Sequence, residues 1–175
     1  MENMEKNYSV IQDSNGRMVV VIHDILFHGK RRINWKEVEA YLKRYIGKNY
    51  EVISTGDRVY IGKEFPDEFS GSVDTAKLQG TLAKAKANAG QGIPQLIENA
   101  TNKRYKNNLA KKHECDAMLG WYRYTTRFAL PVYGNDGEIV RYNIFRVEAL
   151  VRQEEDGTMY LYDLVNIKKE NEHPA

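Results

Sequence analysis

Three long β-prone runs, Trp121–Tyr133, Glu138–Arg152 and Thr158–Lys168, are joined only by Gly134-Asn135-Asp136-Gly137 and Glu154-Glu155-Asp156-Gly157. Joints this short leave no room for a crossover helix, so neighbouring runs must pair antiparallel. The last third of the chain therefore predicts a three-stranded meander, and everything before it has to be arranged around that sheet. Tyr8 to Ile22 alternates around Asp13-Ser14-Asn15-Gly16, the strongest short hairpin signal in the chain. Asn34 caps a helix that carries Trp35, Val38, Tyr41, Leu42 and Tyr45 at helical spacing and stops at Gly47. Tyr50–Ile53 and Arg58–Ile61 flank Thr55-Gly56-Asp57 as a second hairpin, and Phe65-Pro66-Asp67 reads as a turn.

Beyond Ser70-Gly71-Ser72, Ser72 is placed to cap a helix running to about Asn88. Gly90-Gln91-Gly92 breaks it, and Pro94 opens another helix with Ile93, Leu96, Ile97 and Ala100 on its buried side. Thr101 to Leu119 reads as a polar linker or helix, and Lys169 to Ala175 as a solvated tail. The expectation is an α+β fold: an N-terminal hairpin and helices packed on a C-terminal antiparallel meander sheet. Residues 1–70 form a small hairpin and helix lobe, residues 71–169 the helices and sheet of the same compact unit, and 170–175 the tail.

A chain of 175 residues buries roughly two-thirds of its unfolded surface, enough for one core without staples. Its single cysteine, Cys115, excludes an internal disulfide framework and a cysteine-rich zinc site, which fits a reducing compartment. Neither a long apolar run nor a hydrophobic segment after Met-Glu-Asn-Met-Glu-Lys is present, so membrane spans and signal peptides are disfavoured and the cytoplasm is expected. Formal net charge is only +2, but Thr101 to Arg127 holds seven cations against two anions. Tyr105, Trp121, Tyr122 and Tyr124 lie within that stretch, and basic residues interleaved with aromatics suit phosphates and exposed bases.

Strand alternation puts Tyr122, Tyr124, Phe128, Leu130 and Val132 on one face of the first meander strand and Arg123, Thr125 and Arg127 on the other. In the third, Met159, Leu161, Val165 and Ile167 form the core set, Tyr160, Tyr162, Asn166 and Lys168 face the other way, and Asp163 is left among the core residues. The middle strand changes phase at Ile144 and Phe145, which predicts a β-bulge there. Beyond it Arg146, Glu148 and Arg152 join the polar face. The inferred cluster is Arg123, Arg127, Arg146, Glu148, Tyr162 and Lys168.

RNA cleavage by attack of the 2′-hydroxyl needs a base for the hydroxyl proton, an acid for the leaving oxygen and cations for the phosphorane's charge. Glu148 or His113 fits the base, Tyr162 or His113 the acid, and Arg123, Arg127 and Arg146 the clamp. No metal or cofactor is called for: His23 and His28 lack a third ligand, and Gly90-Gln91-Gly92 lacks the residues of a phosphate loop. The plainer reading of the same face is the wet side of an antiparallel sheet with weak cross-strand pairs.

Several stretches carry a family resemblance: Lys86 to Ile97, Thr101-Asn-Lys-Arg-Tyr105, Lys112-His113, Gly120-Trp-Tyr-Arg-Tyr124, Arg127 to Tyr133 and Tyr160 to Lys169. With Gly56 to Gly62 they span about Asn49 to Lys169. The chain resembles domains of phage and mobile-element proteins, often embedded in large polyvalent proteins. Those domains are similar to the nuclease group that includes barnase, EndoU, colicin and RelE. The resemblance implies helices on an antiparallel sheet and a metal-independent ribonuclease or toxin-like activity, with RNA as substrate and an immunity or other protein as partner. Carried over residue by residue, it marks His113, Arg123, Thr125 or Thr126, Arg127 and Tyr162. The candidate catalytic set is then His113, Arg123, Arg127, Glu148 and Tyr162. The candidate substrate contacts are Lys111, Lys112, Tyr122, Tyr124, Thr125, Thr126, Arg146 and Lys168. Arg146 and Gln153 stand where such domains have histidine in the second strand, so the alternative is a degenerate module that binds nucleic acid or protein without cutting.

Overall fold

The computed structural model describes residues 8–29, 32–106 and 119–174. Asp13 accepts hydrogen bonds from the backbone N–H groups of Asn15 and Arg17, Gly16 takes φ +78°, and the chain reverses between β1 (Tyr8–Gln12) and β2 (Met18–Ile22). Asn34 caps α1 (Trp35–Leu42) by accepting from the Lys36 N–H, and Val38 and Leu42 are its buried residues. β3 (Asn49–Val52) and β4 (Asp57–Tyr60) make the second hairpin.

Phe65-Pro66-Asp67, expected as a turn, instead opens α2 (Phe65–Gly71). Pro66 lies in the first helical turn, where a missing N–H costs nothing, and Phe65 and Phe69 supply the buried face. The helix expected from Ser72 to Asn88 divides into α3 (Val73–Ala76) and α4 (Gly80–Ala89): the Ser72 hydroxyl caps only the first, and Gly80 at φ +57° restarts the chain. After α5 (Ile93–Glu98), the first residues of the expected linker form β5 (Thr101–Lys106). β6 (Gly120–Tyr133), β7 (Ile139–Gln153) and β8 (Met159–Pro174) then build the antiparallel meander.

The meander is the centre of a larger mixed sheet, with strands in the order β1-β2-β6-β7-β8-β4-β3 and β5 also paired to β6. β2 joins β6 parallel, Val20 opposite Phe128, and β4 joins β8 parallel, Val59 opposite Met159. Each hairpin thus covers one edge of the meander. Helices cover one face, and the main core runs from Val20 through Phe65, Phe69, Ala87 and Leu96 to Phe145 and Ile167. Residues before and after position 70 share that core.

Asp163, the misfit of the sequence pattern, is 1% exposed and lies 2.9 Å from the fully buried Nζ of Lys86 on α4, which also reaches Asp74 at 3.2 Å. The Asn88 side chain, also buried, accepts from the N–H groups of Leu26 and Phe27 and donates to Phe27, binding that segment to α4.

A bulge does fall at Ile144 and Phe145, in the pairing with β8, but the extra residue is Glu170 on β8 and not one of β7. Pairing with β6 runs through unshifted, Ala129 opposite Ile144 and Phe128 opposite Phe145. Both residues are buried because both faces are covered at that point: Phe145 enters the main core, and Ile144 packs with Val19, Val21 and Ala129 on the other side. The irregularities lie on β8. Between the pairs Leu150–Asp163 and Val151–Leu161, Tyr162 is an extra residue; Val147 faces both Asn166 and Ile167; and between Ile144–Asn171 and Phe145–Lys169, Glu170 is extra. Asn166 takes φ +55°. The shift brings Leu164 rather than Val165 into the main core. The expected tail is likewise corrected: β8 continues to Pro174, opposite Arg141, because β7 is long enough to pair it.

Candidate nucleic-acid interface

The face of the meander away from the helices carries the polar cluster. Glu148 is its centre. The Arg123 guanidinium donates to Oε1 at 2.8 Å, the Arg104 guanidinium to Oε2 at 3.0 Å, and Asn166 to Oε1 at 2.8 Å. Four strands meet there: β5 supplies Arg104, β6 Arg123, β7 Glu148 and β8 the bulged Asn166. Arg104 is further held by the Thr125 hydroxyl at 3.1 Å and the Asn102 carbonyl at 2.7 Å. Burial pushes the Glu148 carboxyl up, but the hydrogen bonds from Arg123 and Asn166 and the charges of Arg123 and Arg104 outweigh it and hold it below its ordinary value.

A second carboxylate repeats the pattern. Glu170 accepts from Arg127 at 2.8 and 3.3 Å and has Arg17 at 3.7 Å. The hydrogen bond from Arg127 lowers the Glu170 carboxyl against the effect of burial, with the charges of Arg127, Arg17 and Arg146 adding to it. Arg146 lies directly opposite Arg127 in the register, and Lys168 opposite Arg146. Tyr162 sits at the other end of the face, its ring edge-on to Trp121 at 5.1 Å, with the Arg152 guanidinium 5.9 Å from the ring. Arg152 itself is tied to Glu68 at 3.1 Å and Glu154 at 3.3 Å.

Of the residues expected from sequence, Arg123, Glu148, Thr125, Arg127, Arg146 and Lys168 share this face, and Tyr162 packs on Trp121. Three others belong to the opposite face. Tyr124 is buried in the main core and its hydroxyl donates to Asp57 at 2.7 Å, so it has no surface to offer a substrate. Thr126 is buried and donates to the Leu96 carbonyl at 2.9 Å, joining α5 to the sheet. Tyr122 packs against the core beneath Lys103, whose Nζ lies 4.6 Å from the ring. Alternation sends even-numbered positions of β6 inward here. Lys111, Lys112, His113 and Cys115 lie outside the described residues.

Arg104, Asn166, Glu170 and Arg17 were not expected at the cluster. Arg104 was hidden because its segment read as a linker, although Thr, Arg and Tyr with lysines between them suit an edge strand. Alternation puts Asn166 on this face but does not join it to Glu148, and Glu170, expected in the tail, reaches the face through a bulge that alternation does not reveal.

No protein-family model, curated protein or solved structure matches the chain. The functional reading therefore rests on the site. Among the described residues no helix is long and apolar enough to cross a membrane, and no group of histidine, cysteine and acidic side chains is arranged to hold a metal ion.

Proposed function

We propose that this chain is an endoribonuclease-like domain that grips an RNA phosphodiester on the outer face of its sheet and cleaves it by 2′-hydroxyl attack without a metal. The observation that carries this reading is the ionised Glu148 held between the guanidiniums of Arg123 and Arg104. A surface that only binds phosphates gains nothing from a carboxylate at the centre of its cations, whereas transesterification requires a proton acceptor beside the groups that stabilise the phosphorane.

The pairing also couples binding to activation. Substrate oxygens that take over the donors of Arg123 and Arg104 remove the interactions that hold the Glu148 carboxyl low. Its proton affinity then rises where the 2′-hydroxyl is presented. Glu148 accepts that proton, O2′ bonds to phosphorus, and the 5′-oxygen leaves with a proton from Tyr162 or His113, forming a 2′,3′-cyclic phosphate. On that reading the domain works in the cytoplasm, restrained by an immunity or other partner protein.

A second reading, a binding module without turnover, is favoured by one observation. Both Glu148 oxygens already have partners, and Tyr162, one of the two candidate acids, packs on Trp121. Purified protein incubated with total RNA in EDTA separates the two. Fragments ending in 2′,3′-cyclic phosphate, lost in Glu148→Gln and in Arg123→Ala, are the expected result. Salt-sensitive binding with intact RNA overturns cleavage in favour of the binding module.

A further inference from the structure

Across the centre of the sheet, three cations stand in one row on three neighbouring strands. Arg127 on β6 is opposite Arg146 on β7, which is opposite Lys168 on β8. Adjacent strands are about 4.8 Å apart, and like charges placed directly opposite destabilise a sheet. Glu170 answers part of this charge, but its hydrogen bonds go to Arg127. Among the described residues neither Arg146 nor Lys168 has a hydrogen bond or ion pair. Both face outward, Lys168 being exposed and Arg146 partly so. Among the described residues the countercharge of the row is Glu170, which Arg127, Arg17 and Arg146 share, whereas Arg146 and Lys168 have no carboxylate bonded to them.

We infer that this row is a second phosphate subsite and that the ligand of the face is a single strand of RNA laid along β6, not a mononucleotide. The inference rests on the proposed reading of the Glu148 cluster as the first subsite. Arg123 and Arg127 lie on the same side of β6 four residues apart, or ~13 Å at ~3.3 Å per residue. That is too far for one phosphate to serve both, so a ligand that fills both subsites carries at least two phosphates. One strand supplies both phosphates, so a paired strand adds nothing that the two subsites hold. The Glu170 bulge serves this subsite: it aims a carboxylate at Arg127 and fixes the guanidinium beside the row while leaving Arg146 and Lys168 open to the ligand.

The test compares an uncleavable 2′-O-methyl octanucleotide with a dinucleoside monophosphate by fluorescence anisotropy and competition over a salt series. The wild type should favour the octanucleotide. In the Arg146→Ala/Lys168→Ala double variant that advantage should shrink about tenfold, with the salt slope falling by roughly 0.7 for each phosphate that is no longer neutralised. The thermal midpoint of the free variant should hold or rise, because like charges have been removed. Equal octanucleotide binding by variant and wild type, or a lowered midpoint that marks the row as structural, overturns the subsite alone. Length-dependent binding without cleavage of the all-ribose strand overturns the cleavage reading and leaves the subsite standing. Binding of neither probe overturns both, and stronger binding of a duplex than of the single strand overturns the ligand class.

Discussion

The neighbours of Glu148 hold its carboxyl below the ordinary value, and on the proposed reading those neighbours are the groups a substrate occupies. Removing or engaging them should therefore show directly on its titration. In Arg123→Ala the Glu148 carboxyl should titrate higher than in the wild type, since a hydrogen bond and a positive charge disappear together; carbon-detected NMR of labelled carboxylates reads it. Inorganic phosphate added to the wild type should move it the same way, and an unchanged titration in both experiments removes the proposed coupling. Glu148→Gln keeps the size of the side chain while abolishing its basicity. It should retain oligonucleotide binding and lower cleavage by at least about 100-fold, the usual worth of a positioned general base. Neighbours in sequence part ways at this scale: Arg123 is hydrogen-bonded to Glu148 on the outer face, while the Tyr124 hydroxyl is spent on Asp57 on the other side of the sheet.

At the scale of elements, β8 and β5 carry the site. β8 spaces Tyr162, Asn166 and Glu170 four residues apart, and each extra residue turns a side chain onto the outer face. Asn166 holds φ +55°, a conformation open to asparagine and glycine but strained for β-branched residues. Asn166→Val should cost about 1–3 kcal/mol in chemical denaturation, and Asn166→Gly distinctly less. β5 depends on Gly120 at φ +119°, where an added Cβ would come within 2.7 Å of the Tyr105 ring and 2.8 Å of the Lys106 carbonyl. Gly120→Ala should loosen β5 from β6, visible as faster hydrogen exchange at Thr101–Lys106, and should weaken RNA binding by displacing Arg104. The sequence revealed the meander and both hairpins because turn chemistry and alternation are local. It concealed β5 because that strand is polar along its whole length and shows no apolar alternation, and it did not show that the extra residues lie on β8 because one inserted residue leaves no turn signal of its own.

The whole molecule closes over a buried charge cluster. Burial pushes the Asp163 carboxyl up to about 6, against the pull of Lys86, Ser72 and the Leu164 N–H, while Asp74 shares Lys86 from α3. A folded value above the unfolded one means that this group stabilises the fold most below about pH 4, and that the contribution is lost as pH rises through about 6. The loss amounts to roughly 3 kcal/mol at most. Glu148 and Glu170, held low, work in the opposite sense and lose their contribution as pH falls through their folded values. Denaturation between about pH 4 and about pH 6.5 should therefore show a declining component that vanishes in Asp163→Asn; an identical profile in the two proteins refutes the assignment. Lys86→Ala, which strands Asp163 without its cation, should cost about 3–5 kcal/mol.

The sequence alone determined the α+β class, the antiparallel order of the last three strands, the two hairpins and the polar face that carries Arg123, Arg127, Arg146 and Glu148. These depend on turn residues and on side-chain alternation, which act within a few positions of one another. The tertiary structure decided that Arg104 and Asn166 complete the Glu148 cluster, that Glu170 binds Arg127, that Tyr124 donates to Asp57 and Thr126 to the Leu96 carbonyl, and that Asp163 answers Lys86. Each of those pairs joins residues from different strands or helices, and only the folded register brings their charges and hydrogen-bonding groups within reach.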